Sequence, residues 1–156
     1  MNTAKLKAEL TQEEGERLSA YLDTEGILTV GIGHNCAAQP VVGVNAPGDT
    51  ITTEHEHNIF LSDCDEAIAE LDKNLPWWST LDDVRQNVLL DMCFNMGIKT
   101  LLTFHNTLAA IEAGDYELAV KGMRGSRWAA QVGKRAVRLE QMMLTGNWPA
   151  DIKEIA

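Results

Sequence analysis

Three side chains near the start of the chain have the types and spacing to do chemistry together: Glu14, Asp23 and Thr29, in the stretch EEGERLSAYLDTEGILTVGIGHNC at residues 13–36. Cleaving a glycosidic bond takes a proton for the leaving oxygen and a base or nucleophile on the other side of the sugar, and two carboxyl groups in distinct surroundings meet both needs. Glu14 fits the first role, because the C-terminal end of a helix favours the form that carries the proton a general acid must deliver. Asp23, in a polar turn, fits the second. The hydroxyl of Thr29 both donates and accepts, which suits a group that holds a water beside Asp23. On spacing alone such a trio is more often a solvated turn than a site.

The elements that must position these residues follow from the local pattern. Leu6 and Leu10 lie four apart among good helix formers, and Gly15 follows as a stop, so a short helix is expected over 3–14. From Arg17 the pattern alternates and is broken by DTEG, which predicts a hairpin of Arg17–Tyr21 and Ile27–His34 turning near Gly26. Leu28, Val30 and Ile32 would share one face of the second strand, with Thr29 on the other. Residues 35–52 contain Gly and Pro and keep no period, as in a loop or irregular sheet edge. A long helix is expected from about Thr53, where Ile59, Phe60, Asp63, Ala67 and Leu71 recur at helical spacing. Further helices are expected at Leu81–Met96, Phe104–Ala113, Tyr116–Met123 and Lys134–Leu144. The fold class is therefore α+β. A small sheet-bearing lobe, about 15–52, is joined by a linking helix, about 53–73, to a larger helical lobe, about 74–156, on which the N-terminal helix packs.

Composition narrows the function classes. The 156 residues are 45% hydrophobic and 23% charged, an ordinary globular mixture, and no apolar run is long enough to cross a bilayer. No apolar core follows the first charges, so a secretory leader is not expected. The net charge of −10 argues against nucleic-acid binding, although Arg124, Arg127, Lys134, Arg135 and Arg138 gather near the C-terminus. Cys36, Cys64 and Cys93 are odd in number and far apart, so they are read as reduced, buried thiols and not as a disulfide or metal framework. His55 and His57 stand two apart, about 200° around a helix, and cannot share one ion. Gly31 and Gly33 lack the third glycine and the following helix of a dinucleotide loop, and more simply let a sugar approach the backbone. Trp77, Trp78, Trp128 and Trp148 fall beside helix boundaries and are read as packing.

The trio, followed by GIGH at 31–34, closely resembles the signature of the phage-type lysozymes, the family that includes the bacteriophage T4 enzyme. The resemblance continues in FNMG at 94–97, SRW at 126–128, KRAVR at 134–138 and TGNW at 145–148, in order and over nearly the whole chain. It implies a lysozyme-like fold with Glu14 as general acid, Asp23 assisting the attacking water and Thr29 placing it. The implied reaction is inverting hydrolysis of the β-1,4 bond between N-acetylmuramic acid and N-acetylglucosamine in peptidoglycan. It also implies Arg135 as the partner of Glu14, an ion pair of His34 with Asp63, and substrate contacts from Gly33, Asn95, Phe104, Thr107 and Gln131. Members often carry Gln where Asn95 stands, the segment 36–52 is unlike the usual one, and the acidic charge departs from the basic character typical of the family.

The implied setting is a monomeric endolysin that needs no metal or cofactor, has bacterial peptidoglycan as partner and inserts into no membrane. It would collect in the host cytoplasm and act in the periplasm after a holin opens the inner membrane. The rival reading is a non-catalytic peptidoglycan-binding or virion structural domain that kept the fold.

Overall fold

The computed structural model describes residues 3–150. The expected α+β class holds, with a small antiparallel sheet near the N-terminus and helices over the remainder. The chain divides into two compact units, Lys7–Glu66 and the residues up to Leu6 together with those from Ala67 onward, so the division falls inside the first two helices.

Helix α1 (Thr3–Glu14) buries Leu6 and Leu10 and stops at Gly15, whose amide bonds back to the Thr11 carbonyl at 2.8 Å with φ at +76°. Strands β1 (Arg17–Leu22), β2 (Leu28–Gly31) and β3 (His34–Asn35) follow in the order β1-β2-β3. Arg17 pairs with Gly31, Tyr21 with Thr29 and Leu22 with Leu28, with a bulge between Arg17 and Tyr21. The second strand is shorter than the Ile27–His34 expected from alternation. Gly31 and Gly33 both take positive φ, +66° and +65°, and turn the chain back so that His34 and Asn35 form a strand of their own.

Residues 36–52 are irregular but anchored. Asp49 Oδ2 accepts the amides of Asn45 and Ala46 at 2.8 and 3.0 Å, which holds the Asp49 carboxyl below its ordinary value. The Ala20 amide donates to the Asp49 carbonyl at 2.7 Å and the Ile51 amide to the Leu18 carbonyl at 2.8 Å, tying the segment to β1. Beneath it Ala20, Val30, Cys36, Val41, Val44 and Ile51 form one apolar cluster, against which Leu28 and Ile59 pack.

Helix α2 (Thr53–Asn74) is capped by Thr52, whose hydroxyl accepts the His55 amide at 3.0 Å, and Glu54 and Glu56 in its first turn suit the positive end of the helix. A 3-10 turn, Pro76–Thr80, leads to α3 (Asp83–Met96), which is capped by Asp82 and buried on nearly every side from Asn87 to Cys93. Around it lie α4 (Ile98–Leu101), α5 (His105–Glu112), α6 (Tyr116–Arg124), α7 (Arg127–Val132) and α8 (Lys134–Thr145). Asp115 and Ser126 cap α6 and α7, and Arg85 donates to the Met143 and Leu144 carbonyls, fastening the end of α8 to α3. Cys36, Cys64 and Cys93 are buried thiols, none of them in a disulfide. Burial, then Asp63, raises the Cys36 thiol, and burial with Asp63 and Asp65 pushes Cys64 up to about 12. No described helix is long and apolar enough to cross a membrane.

Candidate active site

Glu14, Asp23 and Thr29 all fall in the Lys7–Glu66 unit. Asp23 opens the turn between β1 and β2. Its amide donates to the Ile27 carbonyl at 2.9 Å, its carbonyl accepts the Gly26 amide at 3.0 Å, and its Oδ1 accepts the amides of Glu25 and Ile27 at 2.8 and 2.9 Å. The carboxylate is therefore fixed through one oxygen, while Oδ2 makes no hydrogen bond among the described residues. Thr29 is 5% exposed and donates its hydroxyl proton to the Ile27 carbonyl at 2.9 Å, which leaves the lone pairs of Oγ1 to accept.

Glu14 is the last residue of α1, and its carboxyl lies against Gly33. A Cβ added at Gly33 would stand 2.9 Å from Glu14 Oε2 and 3.0 Å from its Cδ, so a glycine is required there both for its φ and for the approach of the acid. Gly33, expected as a substrate contact, is thus also the seat of the Glu14 carboxyl.

Tyr21 was not singled out by the sequence, yet it pairs with Thr29 across the sheet. Burial raises its hydroxyl above the ordinary value; Arg17, stacked 4.3 Å from the ring, pulls it down, and the carboxylates of Glu14 and Asp23 both push it up. The phenol therefore stands in the field of both acids. The only hint in the sequence is its place two residues before Asp23, since the register that sets it opposite Thr29 emerges only on pairing.

His34 Nδ1 lies 2.7 Å from Asp63 Oδ2 and Nε2 lies 2.9 Å from the Gln39 carbonyl. Both partners are acceptors, so both ring nitrogens donate and the imidazolium is the form that satisfies them. Burial works against that charge, but the hydrogen bonds to Asp63 and Gln39, with Asp63 and Glu66 nearby, carry the His34 pKa above its ordinary value. The pair fastens β3 to α2.

The helical unit contains a cavity of about 540 Å³ lined by Met96, Thr100, Phe104, Thr107, Trp128 and Gln131, among others. Three of the expected substrate contacts, Phe104, Thr107 and Gln131, therefore meet in one place. Asn95 does not line it directly; its Oδ1 accepts the Trp128 indole N–H at 2.8 Å, and Phe104 meets the same indole edge to face at 6.4 Å. Asn95 thus sets the angle of an aromatic wall. Gly122 keeps the cavity open, because a Cβ there would collide with the Thr107 hydroxyl.

Arg135 is 6% exposed, and its Nε and Nη2 lie 3.0 and 2.8 Å from Oδ1 of Asp91, which is fully buried. Asp91 was invisible in the sequence, where it reads as one more polar position of a helix that also carries Asp83, Arg85, Gln86, Asn87 and Asn95. Among the described residues no group of three or more His, Cys, Asp or Glu is placed to hold a metal ion.

Known proteins share this arrangement of sequence. The chain is 37% identical over 156 residues to the pre-baseplate central spike protein Gp5 of Enterobacteria phage T4, an alignment that takes in 88% of this chain and 27% of the spike protein. It is 32% identical to probable T4-type lysozyme 1 of Dictyostelium discoideum, over 90% of this chain and 94% of that one. It is 33% identical to the endolysin of Salmonella phage P22, over 70% and 72% of the two chains. The phage lysozyme family profile matches residues 11–141, and with that match the chain belongs to the phage lysozyme family.

Proposed function

We propose that the protein is a muramidase that hydrolyses the β-1,4 bond between N-acetylmuramic acid and N-acetylglucosamine in bacterial peptidoglycan, with inversion. The observation that carries this reading is the way Asp23 and Thr29 complement one another. Asp23 is pinned through Oδ1 with Oδ2 open, and Thr29 has committed its proton to the Ile27 carbonyl. Both atoms accept, so a water between them gives each a proton and points its lone pair away from them, toward the anomeric carbon. Glu14, seated against Gly33, supplies the proton to the leaving oxygen, and Asp23 takes the proton that the water loses. An inverting route of this kind asks for carboxyl groups about 6.5–9.5 Å apart. The chemistry uses only side chains of this chain and a water. The cavity of the helical unit is the proposed place where Phe104, Thr107 and Gln131 meet substrate.

The proposed setting is a monomer made in the host cytoplasm that reaches the wall once a holin opens the membrane, causing lysis; the likeness to the P22 endolysin supports the endolysin part of it. A second reading is favoured by the 37% identity to the phage T4 spike protein, namely a domain that serves as part of a virion.

The test is clearing of permeabilised Gram-negative cells together with mass analysis of the soluble fragments. Glu14→Gln keeps the shape of the acid and removes its proton, so clearing should fall by about a hundredfold or more with folding unchanged. Clearing by the variant within about tenfold of wild type removes Glu14 from the acid role. Binding of purified wall without release of fragments by the unaltered protein supports the structural reading instead.

A further inference from the structure

Glu56, in the first turn of α2, is 1% exposed, and among the described residues neither of its carboxyl oxygens has a hydrogen-bond partner. Facing it is the ammonium of Lys7 on α1, 3.9 Å from Oε2, an ion-pair distance longer than a hydrogen bond. The same ammonium lies 3.0 Å from His57 Nδ1 and 5.8 Å from the centre of the Phe60 ring. An ammonium only donates, so His57 accepts at Nδ1 and carries its proton on Nε2. One cation of α1 thus meets a carboxyl, an imidazole lone pair and an aromatic face, all three from α2.

We propose that Lys7 is a positioning residue for Glu14: its ammonium clasps α1 to the first turns of α2 and so fixes how the acid meets Gly33. The contacts around it close a ring. Lys7 and Glu14 stand seven apart on α1, and Glu56 and Asp63 seven apart on α2, so each pair shares a helix face to within about 20°. The turn from Gly31 to His34 takes contacts from both helices. Glu14 packs on Gly33, where an added Cβ would stand 2.9 Å from Oε2; the stem of Glu56 packs on Gly31, where one would stand 3.3 Å from Cγ; and Asp63 holds His34 at 2.7 Å. Lys7 completes the ring by joining α1 to α2 directly. Buried Leu6 and Leu10 hold α1 down, but apolar burial is non-directional. A cation matched to three acceptors sets the roll of the helix about its axis, and that roll aims a carboxyl at the helix end. A displacement of an ångström there can cost about a hundredfold in rate.

The electrostatics agree with the geometry. Burial, first, and then the neighbouring acid Glu16 push the Glu56 pKa from 4.5 up to about 7, while Lys7 pulls the other way. The Glu56 titration is therefore a gauge of the clasp that needs no substrate. The consequence for catalysis rests on the muramidase reading; the clasp does not.

The test compares wild type, Lys7→Met and Lys7→Arg in the full chain, by the kinetics of hydrolysis of solubilised peptidoglycan and by NMR of carbon-13 at the glutamate carboxyls. Methionine keeps an apolar stem and removes the charge; arginine keeps the charge, stacks on rings and donates to two acceptors at once. In Lys7→Met, kcat should fall by about tenfold with KM within about twofold, since the acid is misaimed and substrate contacts are untouched. The Glu14 carboxyl signal should move or broaden as it leaves a single seat, and Glu56 should titrate higher than in wild type. Lys7→Arg should recover most of each loss, which a merely structural lysine on a surface would not require. Should Lys7→Met fail to fold, Lys7→Gln, polar and uncharged, is read for the same quantities. A Glu14 signal and kcat unchanged in the uncharged variant, a Glu56 titration that does not move, or no recovery by arginine overturns the proposal. Should no protein, wild type included, hydrolyse peptidoglycan while both carboxyl signals respond as stated, the clasp stands and the muramidase reading is the one that fails.

Discussion

Asp63→Asn tests the His34 pair with little change of shape. The asparagine keeps the volume and can still offer its carbonyl to His34 Nδ1, but the negative charge 2.7 Å from the ring is lost. The two side chains are 7% and 15% exposed, so solvent screens the interaction only modestly. A hydrogen bond between charged partners contributes about 1.5–3 kcal/mol, and a neutral one about 0.5–1.5 kcal/mol. The His34 pKa is raised in the folded state, so its contribution is fully present below the unfolded value near 6.5 and is lost as pH rises through the folded one. At about pH 5 the substitution should cost about 1.5–3 kcal/mol, or roughly 3–10 °C of melting temperature for a chain of this size. At about pH 9 the loss should shrink by about half or more to the extent that the ring has given up its proton in both proteins. Urea unfolding followed by circular dichroism at the two pH values measures both. Equal losses would show that His34 is held without its charge and would refute the argument.

Gly33→Ala should strain a backbone at φ +65° and press a methyl group into Glu14 Oε2. Clearing of permeabilised cells should drop by about tenfold or more, since a displacement of an ångström can cost a hundredfold; a wild-type rate would show that the acid sits elsewhere when it works. Gly122→Ala should overpack the wall beside Thr107 by about 1–3 kcal/mol and raise KM more than it lowers kcat, and adding Thr107→Ala should recover the lost stability without recovering the wild-type KM. An unchanged KM would mean that the cavity meets no substrate. Charge should govern encounter with the wall: Arg135 is buried on Asp91 and Arg124 is paired with Glu140 at 3.4 Å, so the basic C-terminal cluster is weaker than its composition. Against a net charge of −10, clearing should rise from very low salt to an optimum as repulsion is screened to about 10 Å at 0.1 M, then decline. A rate falling steadily from the lowest salt would show that local attraction dominates.

What the sequence reveals and what it hides divide on physical lines. The longer helices are legible because each buries a face or caps its own ends, a local matter: α2 begins at Thr53 as its period predicts, and α3, α5, α6 and α8 fall within a residue or two of expectation. The 3-10 turn, α4 and α7 are too short to show a period and pass unseen. Alternation reads through Gly31–Gly33 because it counts apolar residues and not backbone handedness, so one strand is expected where the chain makes two. At the site, the types and spacing of Glu14, Asp23 and Thr29 are visible in one short stretch. Contacts made only on folding are not: Tyr21 gains its place opposite Thr29 through strand register, Asp91 meets Arg135 across 44 positions, and Glu56 reads as an ordinary first-turn acid until burial is known. Local pattern carries the first kind of information, and only tertiary contact carries the second.

The three thiols make the chain its own stopwatch. Alkylation needs a thiolate that reagent can reach, and Cys36, Cys64 and Cys93 are 6%, 3% and 5% exposed, the first two with raised pKa values. Each must therefore wait for the segment around it to open before it is tagged. Cys36 and Cys64 lie in the Lys7–Glu66 unit and Cys93 lies in α3, so the order in which the three acquire a tag, read peptide by peptide in a mass spectrometer, tells which part of the native protein breathes first. The unaltered chain already carries one clock in the region that holds Glu14, Asp23 and Thr29 and another in the helical region, with no label to engineer.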